Sequence, residues 1–249
     1  MIMRNFERFV KACLAVAYLN SIPLIKRVPY VFASLVAPML SFIIILYAIG
    51  GIPMAIHALI GAVVASVTVV SMGLIRLSAL LRLLGFQDTF LVNCVSPIVY
   101  VLGLLLSRLF MAMPAMVPVM LVLFLLAHAD YLQILYTVLL VLLLLYIMAA
   151  LSMGLALRLR DPLHADAIYM LLSTVLVYLP PVYYPAVLLP ETLRPIVLVI
   201  PTALFAQLLR ECLHISHVFN YKIYTIATLA HITIATILIK HYTKTLAEE

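Results

Sequence analysis

Charged side chains are scarce in this chain: they make up 10% of its 249 residues, whereas 67% of the residues are hydrophobic. A soluble globular domain carries about 25% charged and roughly 45–50% apolar residues, so too few polar groups are present to cover a water-soluble surface. The bilayer must therefore solvate much of the chain. Because lipid offers no hydrogen bonds to an open backbone, spanning segments must be helices or a closed barrel. Residues 138–146 are apolar at every position, which is the helical pattern and not the alternation of a barrel strand.

The motifs of common catalytic sites are also absent. The sequence has no G-x-x-x-x-G-K-[ST] phosphate loop, no H-E-x-x-H helix and no G-x-S-x-G nucleophile turn. Its three cysteines, Cys13, Cys94 and Cys212, are far apart and form no C-x-x-C pair, so neither a zinc site nor a redox motif is indicated. We expect the chain itself to bind no metal or other cofactor and to be no enzyme.

Two pairs of histidines need separate interpretations. His214 and His217 are three residues apart; a metal pair is possible by spacing, but an exposed pair without a ligand is favoured. His57 and His231 lie within apolar runs and are expected to be core histidines bonded to a neighbour.

The net charge of +6 reflects cations at the ends of apolar runs, as in membrane proteins that set their orientation by positive charge. A basic patch interleaved with aromatic residues is missing, which excludes nucleic acid as the expected partner. Residues 28–75 contain no charge over 48 positions, enough for two spans of about 20 residues. Gly50, Gly51 and Pro53 supply the turn between them.

The predicted fold is an all-α integral membrane protein with six spans, at 30–49, 54–75, 109–129, 132–157, from about 167 to Pro180, and 223–239. Residues 89–107 are uncharged and could add a seventh span. With six spans, 12 basic residues lie on one side and 3 on the other, against 10 and 5 with seven. The positive-inside bias therefore favours six spans with both termini cytoplasmic, and makes 89–107 a surface or partly inserted helix.

Two segments are predicted not to span. In residues 1–27, apolar residues at helical spacing alternate with Arg4, Arg8 and Lys11, which predicts an amphipathic helix in the cytoplasmic interface. Its apolar residues are Phe6, Phe9, Val10, Cys13, Leu14, Ala17 and Tyr18. In residues 178–211, six prolines forbid a continuous helix. This segment reads as short re-entrant helices before the last span, with an ordinary external loop as the alternative.

Residues 76–97 form the remaining non-spanning region of the permease domain, 28–249. Leu77, Leu80, Leu81 and Leu84 recur at helical spacing, which predicts an amphipathic helix that ends near Gly85.

One pattern of the proline-rich segment carries a family resemblance. Its residues are Pro181, Tyr184, Pro185, Leu189, Pro190, Pro201, Thr202, Leu208, Leu209 and Arg210. With the order of the other elements, this pattern resembles the type-2 ABC exporter permeases, which export drugs, polysaccharides or lipids and whose ATPases are separate subunits. The family often has asparagine where Ile200 stands and phenylalanine in place of Tyr183 or Tyr184.

The resemblance implies partners and roles. Two permease subunits, identical or different, would form one path through the plasma membrane, and P-loop ATPases would dock below and bind the ATP. The coupling residues would be Gly85, Phe86, Gln87, Asp88, Thr89 and Phe90. The exit would be formed by Tyr178, Pro181, Tyr183, Tyr184, Pro185, Pro190, Pro201 and Arg210.

Two alternatives stay open at this point. A membrane-embedded enzyme acting on lipid would need catalytic groups at one face, and only one cluster offers them: Arg158, Arg160, Asp161, His164 and Asp166. A channel or carrier that works without an ATPase is the other alternative, although spans with few charges speak against a carrier.

Overall fold

The structure is a computed structural model that describes residues 2–25, 28–85, 96–159 and 161–248, with side chains from residue 7 to 21, 39 to 85, 96 to 159 and 161 to 246. Every regular element in these ranges is helical. The α-helices are α1 (Ile2–Ile25), α2 (Val28–Met72), α3 (Leu74–Leu83), α4 (Pro97–Ala127), α5 (Tyr131–Ala156), α6 (Pro162–Tyr178), α7 (Ile196–Val199), α8 (Pro201–Cys212) and α9 (Tyr221–Glu248). Two 3₁₀ turns, Ala186–Leu188 and Glu191–Leu193, lie between α6 and α7.

Polar side chains mark several helix starts. Ser96 accepts a hydrogen bond from the Val99 amide, and Asp161 accepts one from the Leu163 amide at 3.0 Å. At the start of α5, the Asp130 amide donates to Gln133 Oε1 at 2.9 Å. These contacts satisfy amide groups that a helix leaves open at its first turn.

Helix α2 is broken into two arms at the predicted Gly-Gly turn. Gly51 has φ 64° and ψ −153°, outside the helical region. Phe42, before the break, stacks on Tyr183 with ring centroids 4.5 Å apart, and Gly61, after it, also contacts the Tyr183 ring. In one straight helix these two positions would be about 28 Å apart, so the two arms fold back side by side.

The bundle has two distinct ends. We call the end with Phe42, Tyr183 and Arg210 the Tyr183 end, and the end where Val16 of α1, Leu81 of α3 and Tyr242 of α9 share a core cluster the basic end. Both ends of the described chain, α1 and the last turns of α9, thus pack at the basic end.

Six helical segments alternate in direction between these ends. They are the two arms of α2, α4, α5, α6 and α9. The second arm of α2, α5, α6 and α9 are placed by contacts of Ser152 with Met72, Arg82 with the Ala156 carbonyl, Thr137 with Cys212, Arg76 with Asp166, and Tyr224 with Glu211. The start of α4 lies at the basic end, because Tyr100 and Leu104 belong to its core cluster.

Four helical stretches of the described chain are long and apolar enough to cross a membrane: Met39–Leu83, Pro97–Ala127, Tyr131–Ala156 and Tyr221–Leu246. A fifth is added if Glu191–Val199 and Pro201–Cys212, which meet at 103°, form one broken span. Helix α6 is apolar but has only 17 residues. The chain is therefore a multi-pass, α-helical membrane protein.

Helix α4 joins two predicted segments. Residues 89–107 were expected to form a surface or partly inserted helix leading into a span at 109–129, and the described part of this stretch is one helix of 31 residues, Pro97–Ala127. Arg108, which suggested the boundary, is only 3% exposed, and its Nε donates to the Ser107 hydroxyl at 3.2 Å. A buried, bonded guanidinium does not have to end a helix, so the charge at position 108 marks no break in α4.

Candidate functional site

The coupling region predicted at 76–97 is described as far as Gly85. Helix α3 ends at Leu83 and Gly85 has φ +68°, which confirms the predicted helix end. Phe86, Gln87, Asp88, Thr89 and Phe90 lie outside the described residues.

The predicted apolar face of α3 is only partly buried. Leu81 is buried, but Leu80 and Leu84 are exposed, together with Leu83. The buried residues of α3 are Leu74, Ile75, Ser78, Ala79 and Leu81. These residues face α5 and α6, on which α3 packs, while the leucines at the end of α3 stay exposed among the residues with described side chains.

The N-terminal helix packs across the start of α4. A methyl group at Gly103 would lie 2.6 Å from Val16 Cβ, so only glycine allows this approach. Cys13, Val16 and Ala17 are buried there, and burial raises the pKa of the Cys13 thiol. The predicted apolar residues Phe9, Val10, Leu14 and Tyr18 stay exposed. One face of α1 thus contacts protein while an apolar face remains free for lipid.

The proline-rich segment forms short helical pieces, as predicted. After α6, the chain passes through Pro181 and Pro185 into the turn Ala186–Leu188, while Pro190 precedes the exposed turn Glu191–Leu193. Pro201 begins α8, where a missing amide hydrogen costs nothing.

Three aromatic rings stack where this segment meets the α2 hairpin. Tyr183 lies 4.5 Å from Phe42 and 6.1 Å from Tyr178, measured between ring centroids. Tyr183 is 4% exposed, whereas Tyr178 is exposed and Tyr184 is half-buried. Of the three predicted exit tyrosines, Tyr183 is thus a packing centre and the other two reach the surface.

Helix α8 carries a buried set of polar side chains that holds the segment together. Thr202 donates to the Leu176 carbonyl at 2.6 Å, and Gln207 Nε2 donates to the Ser216 carbonyl at 3.1 Å. Arg210, fully buried, donates to the carbonyls of Pro181 (3.2 Å) and Val182. The two helical stretches that meet at 103°, Glu191–Val199 and Pro201–Cys212, are called the bent pair. The bent pair is therefore joined to the end of α6 and to the loop after it by side-chain hydrogen bonds to backbone carbonyls.

Glu211 anchors the opposite side of α8. Its carboxylate, 4% exposed, accepts from the Val218 amide and from the Tyr224 hydroxyl, both at 3.1 Å, and contacts His217 Nδ1. These bonds tie α8 to the start of α9. Sequence reasoning missed Glu211, because its partners come from a loop that has no recognisable motif.

The histidines separate into different roles. His231 contacts the carbonyls of Ala227 (2.8 Å) and Val199 (3.1 Å), so its predicted bonded state is confirmed. His57 is 9% exposed and its Nδ1 has no partner among the described residues. His214 and His217 are both exposed, as predicted for this pair, and His217 also contacts Glu211.

The cluster that would serve a lipid-modifying enzyme has structural partners. Asp161 caps α6 and lies 2.8 Å from His164 Nδ1, and Asp166 pairs with Arg76 at 3.4 Å. Arg160 lies outside the described residues. Across the ranges with described side chains, no three His, Cys, Asp or Glu residues are placed to hold a metal ion.

Comparison with known proteins adds no assignment. No family model matches this chain, and no curated protein matches its sequence. Function must therefore be argued from the two ends of the bundle and the elements that connect them.

Proposed function

We propose that the chain is the transmembrane permease subunit of an ATP-driven exporter, powered by a separate ATPase at the basic end. One observation carries this proposal: the bent helix pair, anchored through Arg210 and Glu211, occupies the bundle end opposite α1 and α3. A transporter driven from one face needs such a division between an end that receives force and an end that releases substrate.

The basic end has the features of a docking face. Leu83 and Leu84 are 68% and 57% exposed, directly before the coupling residues inferred from the resemblance. Solvent-exposed leucines beside Arg82 suit a protein partner, because apolar anchors with a polar rim are typical of interfaces. In this proposal the basic end is cytoplasmic, by the positive-inside bias.

The proposed topology has six spans in the plasma membrane, namely the six alternating helical segments. Helix α6, at 17 residues, is about 26 Å long, close to the hydrocarbon thickness of about 30 Å. The bent pair does not cross; it enters the outer leaflet and returns. A second permease subunit, identical or different, completes the path.

The test is site-directed cross-linking in a cysteine-free background. Leu84→Cys at the basic end and Leu132→Cys at the Tyr183 end are both on exposed positions, 57% and 67%. We expect Leu84→Cys alone to cross-link to a co-purifying P-loop ATPase with vanadate-sensitive activity. A chain that purifies without any ATPase from gently solubilised membranes contradicts the proposal.

The enzyme alternative is weaker, since Asp161 and Asp166 have helix-capping and ion-pair roles that explain them. Asp161→Asn with Asp166→Asn would abolish turnover in a lipid-modifying enzyme. In an exporter the double variant should keep most transport.

A further inference from the structure

One side chain of α9 contacts the bent pair at its bend. His231 places its Nδ1 2.8 Å from the carbonyl oxygen of Ala227, one turn earlier in the same helix. Its Nε2 lies 3.1 Å from the carbonyl oxygen of Val199, the last residue of α7. Because Glu191–Val199 and α8 meet at 103° directly after this residue, the second contact links α9 to the point where the chain turns.

The two partners of the ring determine its protonation. A carbonyl oxygen can only accept a hydrogen bond, so each ring nitrogen must carry a hydrogen to make its bond. A neutral imidazole has a hydrogen on one nitrogen, and the other nitrogen would then set its lone pair against a carbonyl oxygen. The imidazolium has a hydrogen on both nitrogens. Only the protonated ring of His231 therefore makes both contacts as hydrogen bonds.

The Val199 carbonyl needs a donor from outside its own helix. Ile200 has an extended backbone, with φ −94° and ψ 116°, and ends α7. The last carbonyls of a helix have no donor within that helix, and Pro201, which follows, has no amide hydrogen. An unbonded carbonyl is costly in lipid. His231 supplies the donor, so the bonding of the bend depends on the hydrogen at Nε2 of this ring.

The charged residues of the elements around this contact are bonded elsewhere. Helix α9 packs on α4, α5, α7 and α8, and α5 and α7 contain no charged residue. Arg108 of α4 donates to a serine, Arg210 of α8 donates to backbone carbonyls, and Glu211 of α8 accepts from the start of α9. Glu191 and Arg194, on the turn before α7, pair with each other at 3.5 Å.

None of the ion pairs found among the residues with described side chains includes the imidazole of His231. No carboxylate therefore holds the proton on the ring, and the two carbonyl oxygens are its partners. The other titratable residues of the packed helices, with those within about three turns on α9, are Tyr100, Tyr131, Tyr136, Tyr146, Cys212, Tyr221, Lys222, Tyr224, Lys240, His241 and Tyr242.

The contact lies at the surface of the bundle. His231 is half-buried and Val199 is 73% exposed, so the ring exchanges its proton without unfolding of the core. We propose that this contact is a pH-sensitive switch: the imidazolium of His231 holds the end of α7 on α9, and loss of the Nε2 proton to water releases it. Nδ1 keeps its hydrogen, because its acceptor, the Ala227 carbonyl, lies in the same helix.

The direction of the pH effect follows from the charge of the ring. Histidine changes its charge between about pH 5 and about pH 8, so the bent pair is held on α9 at the acidic limit and released as the pH rises. In the neutral ring, the Nε2 lone pair faces the Val199 oxygen and repels it. This inference goes beyond the proposed function and does not depend on it, since both partners belong to one chain.

The experiment measures the distance between α7 and α9 by pulsed electron paramagnetic resonance. Spin labels are attached to Ile196→Cys of α7 and Leu229→Cys of α9, at positions that are 45% and 57% exposed, in a cysteine-free background. The chain is purified in detergent without any ATPase and measured at about pH 5 and about pH 8. We expect one narrow distance at the lower pH, and a longer, broader distribution at the higher pH.

Two variants separate His231 from the other histidine that contacts an acid at this end. His231→Phe has no ring donor, so we expect the longer distribution at both pH values. His217→Gln removes the imidazole that contacts Glu211 and leaves the contact of α9 with α7 in place. We expect this control to keep the pH response of the wild type.

A second measurement on the wild type guards against misfolding of His231→Phe. Nitrogen-15 NMR of the histidine-labelled chain distinguishes an imidazolium from a neutral ring, and the signal that His231→Phe lacks is that of His231. We expect both ring nitrogens of His231 to carry a hydrogen at about pH 5, and Nδ1 alone to carry one at about pH 8.

Three results would overturn the inference. They are a neutral His231 ring at the lower pH while the distance is short, wild-type distances that do not change with pH, and a pH response that persists in His231→Phe. Loss of the response in His217→Gln would also overturn it, by assigning the effect to the contact with Glu211. Because no ATPase takes part, each of these results leaves the cross-linking test of the exporter unaffected.

Discussion

Two sets of charged residues at opposite ends of the bundle are held in opposite ways. At the Tyr183 end, Arg210 and Glu211 are buried and bonded to the backbone of distant loops. At the basic end, the ion pair of Arg76 and Asp166 has side chains 60% and 33% exposed. The first set fixes α8 internally, whereas the second is open to solvent beside the exposed leucines of α3. Each end also holds the other kind of charge, because Glu191 is 87% exposed at the Tyr183 end and Arg108 is 3% exposed near Gly73. A charged residue at the end of a span can thus stabilise the fold or face a partner. The exposed fraction of its side chain distinguishes these two roles.

The largest effect should come from breaking the buried anchor of α8. Glu211→Ala leaves the Val218 amide and the buried Tyr224 hydroxyl without an acceptor, which should lower the free energy of unfolding by about 3 kcal/mol. This free energy of unfolding is measured by unfolding in SDS–detergent mixtures. Glu191→Ala, an 87% exposed acid at the same end, should change little; equal losses would deny the contrast between buried and exposed acids.

A smaller loss is expected from Gly61→Ala. The added methyl would lie 2.6 Å from Tyr183 Cδ1 and 2.8 Å from its Cα, so the loop must shift, at a cost of about 2 kcal/mol. The matched control is Gly154→Ala, whose nearest atom is the end of the flexible Leu238 side chain at 2.9 Å. If the control destabilises the chain as much, backbone proximity is not the cause.

Gly103→Ala should loosen the basic end locally. The methyl would meet Val16 Cβ at 2.6 Å and the Cys13 carbonyl at 3.1 Å, which pushes α1 off α4 and exposes the Cys13 thiol. In a chain that retains only this cysteine, we expect maleimide labelling to accelerate severalfold, with global stability reduced by less than in Gly61→Ala. Unchanged labelling would mean that α1 adjusts without leaving α4.

The smallest effect belongs to the exposed ion pair. Arg76→Gln should lower the free energy of unfolding by less than about 1 kcal/mol, and less still in high salt, because solvent screens exposed pairs. The same unfolding measurement applies, and Arg8→Gln, a cation of α1, serves as the reference. A loss of unfolding free energy as large as that of Glu211→Ala would contradict the difference between buried and exposed charges.

Local chemistry made much of this architecture predictable. The apolar runs indicated helices, Gly50 and Gly51 indicated the hairpin, and Gly85 marked the end of α3. The proline-rich segment was predicted to form short pieces because proline interrupts helices wherever it falls. Each of these features depends on residues that are close together in the sequence.

The features that escaped prediction depend on distant partners. Arg108 was treated as a boundary because its burial beside Ser107 is a matter of packing. The polar side chains of α8 donate hydrogen bonds to the backbone carbonyls of residues 176, 181, 182 and 216. No sequence spacing predicts these partners. The buried face of α3 is likewise set by its packing on α5 and α6, which covers Leu81 and leaves Leu80 and Leu84 exposed.

The uninterrupted length of α4 has a mechanical consequence. Its 31 residues extend over about 46 Å, some 16 Å beyond the hydrocarbon layer. Helix α1 packs on α4 near Gly103, close to the end of α4 that carries Tyr100 of the basic-end core. A sideways push on α1 would act at this end of α4, and Pro114 and Pro118, which remove backbone hydrogen bonds inside the helix, place a flexible point between this end and the far end.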